Sequence, residues 1–231
     1  MSVWAIVVAA GRGVRFGVPD GTSDAESRKQ FVELAGMSVV EWAVRTSIEC
    51  CDGVVLVLPA DALEGGPRAA VDVAVDAVVA GGATRADSVR AGLAAVPAEA
   101  EVVVVHDAAR PLASPALFAA VVEAVRAGAD AAVPALPVTD TVKRVVGNRV
   151  EATVARDDLV VVQTPQAFRA AALRAAHAGA SDASDDAALV ERAGGAVVVV
   201  PGDADNLKIT TPVDLVVAGV LLGDRTDGGM R

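Results

Sequence analysis

Cysteine is nearly missing from this chain: Cys50 and Cys51 are the only two, and they are adjacent. Neighbouring cysteines make a poor structural staple, which excludes a disulfide scaffold and fits a reducing compartment. Also missing is any uncharged apolar stretch near the ~20 residues that a membrane-spanning helix needs. The opening MSVWAIVVAAGRG has apolar residues too few and too early for a secretory signal, so the expected location is the cytoplasm, with no membrane partner. Lysine is scarce, with Lys29, Lys143 and Lys208 alone, and the formal net charge is −10. That balance excludes general nucleic-acid binding, which needs clustered Lys and Arg, but is compatible with a small polyanion held in a local basic cleft. There is no convincing Ser/His/Asp set either. Of the two histidines, His177 lies in an Ala-rich helix and reads as a surface residue, while His106 ends a buried strand and reads as structural.

What is present is a large apolar fraction, 53%, spread evenly over 231 residues, which suits one α/β domain. Val3–Ala9 is a continuous apolar run ending in a Gly-rich turn, as in a strand buried on both faces of a parallel sheet. The polar stretch 18–27 reads as a loop. Ser38 and Glu41 form a capping box that opens a helix over Val39–Glu49. Gly53–Leu58 is a strand, followed by a helical stretch weakened by Gly65, Gly66 and Pro67, then a short apolar piece, Ala77–Val79. Asp87–Val96 reads as helix and Val102–His106 as a buried strand. Ser114 and Pro115 open a helix to about Ala127, and Ala131–Ala135 is a strand. This alternation implies a mainly parallel, Rossmann-like sheet with helices on both faces and ligands at the carboxyl ends of the strands. Val142–Val154, with Gly147-Asn148 in its middle, breaks the pattern as an inserted β-hairpin, an arm over about 138–158 suited to a subunit contact. Then come a strand at Val160–Thr164, helices at Ala170–Ala178 and Asp185–Ala193, a strand at Ala196–Val200 and a closing helix from Pro212. From Asp224 the composition suggests a disordered tail.

The strongest chemical signal is the turn after the first strand, Ala9-Ala10-Gly11-Arg12-Gly13-Val14-Arg15-Phe16-Gly17. Small residues let the backbone approach phosphates and aim its N–H groups at them. A dinucleotide fingerprint needs G-x-G-x-x-G, and here the third glycine comes one position late. A Walker loop needs Lys followed by Ser or Thr, which is absent. Arg15 and the downstream Arg28-Lys29 add charge suited to a triphosphate.

The order of motifs along the chain resembles the 2-C-methyl-D-erythritol 4-phosphate cytidylyltransferase family of the non-mevalonate isoprenoid pathway. The resemblance rests on Ala9-Ala10-Gly11-x-Gly13-x-Arg15, Lys29-Gln30-Phe31, Gly81-Gly82 with Arg85-Ala86-Asp87-Ser88-Val89, His106-Asp107-Ala108-Ala109-Arg110-Pro111, Asp140-Thr141-Val142-Lys143, Gln163-Thr164-Pro165-Gln166 and Asn206-Leu207-Lys208-Ile209-Thr210. It extends over nearly the whole chain. It implies CTP and methylerythritol phosphate as substrates, pyrophosphate as product and a homodimer joined through the β-arm. It further implies that Arg15 and Lys29 line the triphosphate, and that Ala9, Ala10, Gly11, Gly13, Gly82, Ser88 and Ala108 bind nucleotide. By the same resemblance Lys208 and Arg156 would hold the polyol phosphate, Arg156 from a neighbouring subunit, with Asp107, Arg110, Thr141, Thr164 and Ser184 around the polyol. No D-x-D carboxylate pair is apparent, so Mg²⁺ is expected to bind mainly through the CTP phosphates. Two positions depart from the pattern: Ala83 stands where relatives often carry a polar or acidic residue, and Val14 where they are often basic.

The competing readings are a cytidylyltransferase for another polyol phosphate such as ribitol 5-phosphate, a dinucleotide-binding oxidoreductase, and a non-catalytic nucleotide sensor.

Overall fold

The computed structural model describes residues 1–11, 28–63, 71–179 and 185–227. Its centre is β1 (Val3–Val8), flanked in parallel by β4 (Gly53–Leu58) and β6 (Val102–Asp107). A strand turns successive side chains to opposite faces, and here both faces are apolar. Ile6, Val55, Val57, Val103 and Val105 pack on one side with Val89 and Leu93 of α2 (Arg85–Ala95), Leu173 of α4 (Ala170–Ala178) and Leu189 of α5 (Asp186–Arg192). On the other side Ala5, Val7, Val54, Leu56 and Leu58 meet Val40, Ala43 and Val44 of α1 (Val39–Cys50). Val102, Val104 and Ala132 meet Phe118, Val121 and Val125 of α3 (Pro115–Arg126) on that same side. Burying each such Val, Leu or Phe side chain is worth about 1.5–3 kcal/mol, so a sheet covered on both faces is the stable solution for these runs.

β5 (Ala77–Ala80) continues the parallel sheet beyond β4. Beyond β6 the sheet departs from simple strand-helix alternation: β11 (Gln166–Arg169) lies antiparallel between β6 and β7 (Ala131–Pro137). The sequence pattern gives no separate strand there, because the four-residue β11 has no period of its own and sits directly against α4. At Ala135, β7 is paired by Val162 of β10 (Val160–Val162) and by Pro201 of β12 (Val197–Pro201), and at Ala131 and Ala132 by β11 and β12. β12 therefore holds one side of β7, and β10 and β11 share the other. Between Val162 and Ala167 the chain has four residues against two on β7, between Ala132 and Ala135. Gln163 N still donates to Pro134 O of β7, and the two extra residues let the chain bow out at Thr164 and Pro165 beside the end of β6, with Thr164–Pro165 cis.

The inserted hairpin is present as β8 (Val142–Val146) and β9 (Arg149–Val154), a two-stranded sheet of its own with Gly147 at positive φ in the turn. A short hairpin, β2 (Glu33–Leu34) with β3 (Met37–Ser38), leads into α1, whose capping box is formed by Ser38 and Glu41. The closing helix α6 (Pro212–Asp227) runs past Asp224, where the composition suggests a disordered tail. Upstream of that point the helix is packed through Ala218 and Leu222 with Leu34, Leu112 and Ile209. No described helix is long and apolar enough to cross a membrane.

Candidate active site

β1 has β4, the next strand of the main sheet, on one side and β6 on the other, and at such a reversal the loops diverge and leave a crevice at the strands' carboxyl ends. The structure has that crevice, a cleft of about 490 Å³. It is lined by Val8 at the end of β1 and Ala9, Ala10 and Gly11 after it, by Asp107 at the end of β6 and Ala108 and Ala109 after it, by Gly82, Ala83 and Thr84 after β5, by Arg85 and Ser88 of α2, and by Lys29, Gln30 and Lys208.

Each wall has a local cause. Gln30, buried, donates its amide to the carbonyls of Ala9 (2.8 Å) and Gly11 (3.0 Å), and so fastens the turn after β1. A side chain on Gly81 would put its Cβ 2.3 Å from that of Ala10, and one on Gly82 would come 2.2 Å from the Asp87 Cβ. Only a glycine pair lets the β5 turn pack against both the β1 turn and the start of α2. That start is a second capping box: Thr84 caps Asp87, and the Asp87 carboxylate accepts from Thr84 N and Oγ1. Ser88 Oγ accepts from Gly82 N (3.2 Å) and donates to Thr84 O (3.0 Å).

The opposite rim is the segment 206–210. Its Lys208 Nζ lies 2.6 Å from Asp107 Oδ2, and its Ile209 carbonyl accepts from Lys29 Nζ at 3.0 Å. Two adjacent residues thus tie the two cleft lysines together. Ile209 N donates to Ala109 O, holding the segment beside the end of β6.

Asp107 is the central carboxylate. Burial alone would raise its pKa, but the Arg85 guanidinium and the Lys208 ammonium hold it well below the usual carboxylate range. Arg85 is held the other way: burial would lower its pKa, and Asp107 with Asp186 more than offsets that and raises it. Behind Asp107 lies His106, fully buried, its ring edge-on to Phe118. His106 Nε2 faces the Arg110 carbonyl (3.2 Å), and a carbonyl can only accept, so Nε2 carries the proton. Nδ1 then accepts from Thr164 Oγ1 (3.2 Å), which in turn accepts from Asp107 N (3.0 Å). Burial pushes His106 down to about 4, keeping this tautomer neutral.

Of the residues singled out from sequence, Ala9, Ala10, Gly11, Lys29, Gly82, Ser88, Asp107, Ala108 and Lys208 converge on the cleft. Thr164 does not line it but supports Asp107 from behind. Arg110 does not line it either: its guanidinium donates to the carbonyls of Asn206 (2.6 Å) and Val162 (3.5 Å), tying down the chain beside the cleft. Thr141 and Arg156 are exposed on the arm, outside the lining, and Arg156 donates to the Thr139 carbonyl. Arg15, Gly13 and Ser184 lie outside the described residues. His177 is not the surface residue its Ala-rich helix suggests: it is 3% exposed and bonded to Asp186, because α5 folds over that face of α4. Gln30 and Arg85 were legible only as members of motifs, and nothing in the spacing gave their partners. Contrary to the expectation of no D-x-D pair, the chain has one, Asp203-Ala204-Asp205. It is outside the cleft lining: Asp203 Oδ1 accepts from Asp205 N, and Asp203 N donates to Gln163 Oε1.

A family model described as 2-C-methyl-D-erythritol 4-phosphate cytidylyltransferase matches residues 3–224. The enzyme of that name from Nocardia farcinica is 48% identical over 227 residues, which cover 97% of this chain and 95% of the relative. That from Rhodococcus jostii is 47% identical over 225 residues, 95% of each chain. Among solved structures, the 2-C-methyl-D-erythritol 4-phosphate cytidylyltransferase of Thermus thermophilus superposes with a TM-score of 0.78 at 38% identity, covering 96% of this chain and 98% of that one.

Proposed function

The chain belongs to the 2-C-methyl-D-erythritol 4-phosphate cytidylyltransferase family, and from its cleft we propose how it moves the cytidylyl group of CTP onto methylerythritol phosphate. The enzyme forms 4-diphosphocytidyl-2-C-methyl-D-erythritol and releases pyrophosphate in isoprenoid biosynthesis. The observation that carries the division of labour is the lysine pair on one rim, Lys29 and Lys208, joined through Ile209 and facing the glycine turn after β1.

The nucleophile is an oxygen of the substrate phosphate monoester, whose second pKa is about 6, so it is largely dianionic at neutral pH and needs no side-chain base. It attacks the α-phosphorus of CTP; the bond to the bridging α,β-oxygen breaks and pyrophosphate leaves with that oxygen. Lys29, with Arg15, stabilises the negative charge that gathers around the α-phosphorus and the leaving group. Such preorganised charge is worth several kcal/mol where water is excluded. The Gly82 and Ser88 corner takes the cytosine edge. Asp107, kept ionised, accepts hydroxyl hydrogen bonds of ribose and polyol, and Lys208 passes from Asp107 to the incoming phosphate.

Mg²⁺ is part of this reading. Among the described residues the cleft lining offers one carboxylate, Asp107, already taken by Arg85 and Lys208, so phosphate oxygens and water suit the ion better than a protein cage. When bound it neutralises triphosphate charge. The β8–β9 arm is the homodimer contact in this reading, with Val145, Val146 and Val150 exposed on it. Arg156 and Thr141 then serve the partner's cleft. The free thiols of Cys50 and Cys51 suit the cytoplasm.

Phosphorus NMR of CTP, Mg²⁺ and methylerythritol phosphate with the enzyme should show pyrophosphate and a new diphosphodiester in equal amounts. Turnover of ribitol 5-phosphate alone would sink the substrate assignment.

A further inference from the structure

Outside the cleft lining, two buried residues are joined to it by charged hydrogen bonds. His177 on α4 is 3% exposed and Asp186, the first residue of α5, is 1% exposed. His177 Nε2 lies 3.0 Å from Asp186 Oδ1, and Asp186 Oδ2 accepts from Arg85 Nη1 at 2.6 Å. On its cleft side the same guanidinium reaches Asp107 Oδ1 only at 3.4 Å, through Nε and Nη2. Lys208 holds the other Asp107 oxygen at 2.6 Å. The chain therefore runs from α4 through α5 and α2 to the end of β6 and the 206–210 rim.

The two distances on Arg85 decide what this arrangement does. A guanidinium beside a single carboxylate closes to a fork with N···O distances of about 2.7–2.9 Å. Here that short contact goes to Asp186, and Asp107 receives only the long one. The Asp186 carboxylate is buried and not part of the described cleft lining, and its hydrogen-bonded link to that lining is Arg85. His177 holds it: beside a carboxylate Nε2 must donate, and this contact fixes the Asp186 oxygen that Arg85 does not use. Among the described residues His177 Nδ1 has no partner, so the ring's one directional contact is with Asp186.

We propose that His177 and Asp186 are positioning residues for cytidylyl transfer: they draw Arg85 away from the cleft, so that Asp107 stays shared with Lys208 and open to substrate hydroxyls instead of being captured by Arg85. The inference rests on the assignment of Asp107 and Lys208 to the polyol phosphate. Without the outer carboxylate, Arg85 closes onto Asp107, and the polyol phosphate loses an acceptor while CTP keeps its glycine turn and Lys29.

Steady-state kinetics test this with Asp186→Asn, His177→Phe and His177→Gln, each substrate varied in turn, Lys208→Ala as reference, and melting temperatures recorded for all. Asp186→Asn should raise the KM for methylerythritol phosphate about tenfold and that for CTP less than threefold. His177→Phe, which keeps volume but has no donor, should shift the same constant about fivefold. His177→Gln, whose amide nitrogen replaces Nε2, should return it to within twofold of the unmodified enzyme. Equal kinetics for the Phe and Gln variants, or equal rises for both substrates, overturn the proposal; if Asp186→Asn fails to fold, the His177 pair decides alone. Lys208→Ala separates the levels. If it leaves the methylerythritol phosphate KM unchanged, the underlying assignment fails and the inference with it. If it raises that KM while the His177 and Asp186 variants do not, only the inference fails.

Discussion

At the scale of single residues the site is governed by buried groups whose charge state the fold dictates. His106 gives the clearest pH signature. Its folded pKa is about 4, against about 6.5 in an unfolded chain. Above pH 6.5 both states are neutral and the residue contributes nothing to pH dependence. Between 6.5 and 4 the unfolded chain takes up a proton that the native one refuses, so stability falls as pH falls, by roughly 3 kcal/mol in all. Asp107 works in a different window: its pKa is depressed, so its stabilisation is fully present above about 4 and is lost only as pH drops below that. His106→Gln keeps a donor for the Arg110 carbonyl and removes the titration. Urea unfolding at pH 7.5 and 4.5 should therefore show a smaller acid loss in the variant, by about 2–3 kcal/mol. Parallel losses in the two proteins would show that the imidazole does not titrate as described.

At the scale of elements, α2 matters most, because its first turn carries Arg85, Asp87 and Ser88 and faces the glycine pair after β5. Its N-terminus is held by the reciprocal bonds of Thr84 and Asp87. A methyl group at position 82 has its only space 2.2 Å from the Asp87 Cβ. Either the turn after β5 or the cap must shift. Gly82→Ala should cost about 1–3 kcal/mol of stability, typical of overpacking a tight contact, and raise the KM for CTP more than that for methylerythritol phosphate. Thermal denaturation and two-substrate kinetics check both halves. A variant with unaltered CTP affinity would remove the cytosine edge from this corner.

For the whole molecule the question is what completes the cleft. In a single chain Arg156 and Thr141 stand on the arm, outside the cleft lining. A two-fold dimer would let each arm serve the other cleft, and an inactive pair of variants then becomes partly active on mixing. Arg156→Ala should raise the methylerythritol phosphate KM, and Lys29→Ala should lower turnover. Unfolded together, refolded at equal amounts and assayed at methylerythritol phosphate far below the raised KM, where each variant alone is nearly silent, they should recover about a quarter of normal activity. Half the dimers are then mixed, and each of those has one intact cleft in two. Activity equal to the average of the separate variants would place Arg156 in its own chain's site or in none.

Read by itself, the sequence determined the elements whose apolar pattern is long and local: the buried runs of β1, β4 and β6, the capped start of α1, the Ser114-Pro115 opening of α3 and the Gly147-Asn148 hairpin. It also determined the family, because motifs spaced over the whole chain are read in order without knowing what they touch. Tertiary structure alone decided which residues meet. β11 is too short to show a period, yet by inserting antiparallel between β6 and β7 it brings Thr164 under Asp107. Arg110 and Arg85 are both arginines in motifs, but one spends its donors on backbone carbonyls and the other lines the cleft. His177 and Asp186, nine residues apart, carry no sequence mark of their bond to each other or to Arg85. The physical reason is range: capping, turns and periodicity act over a few residues, whereas the burial and charge pairing that shape this site act between segments up to about a hundred residues apart, as with Arg85 and Asp186.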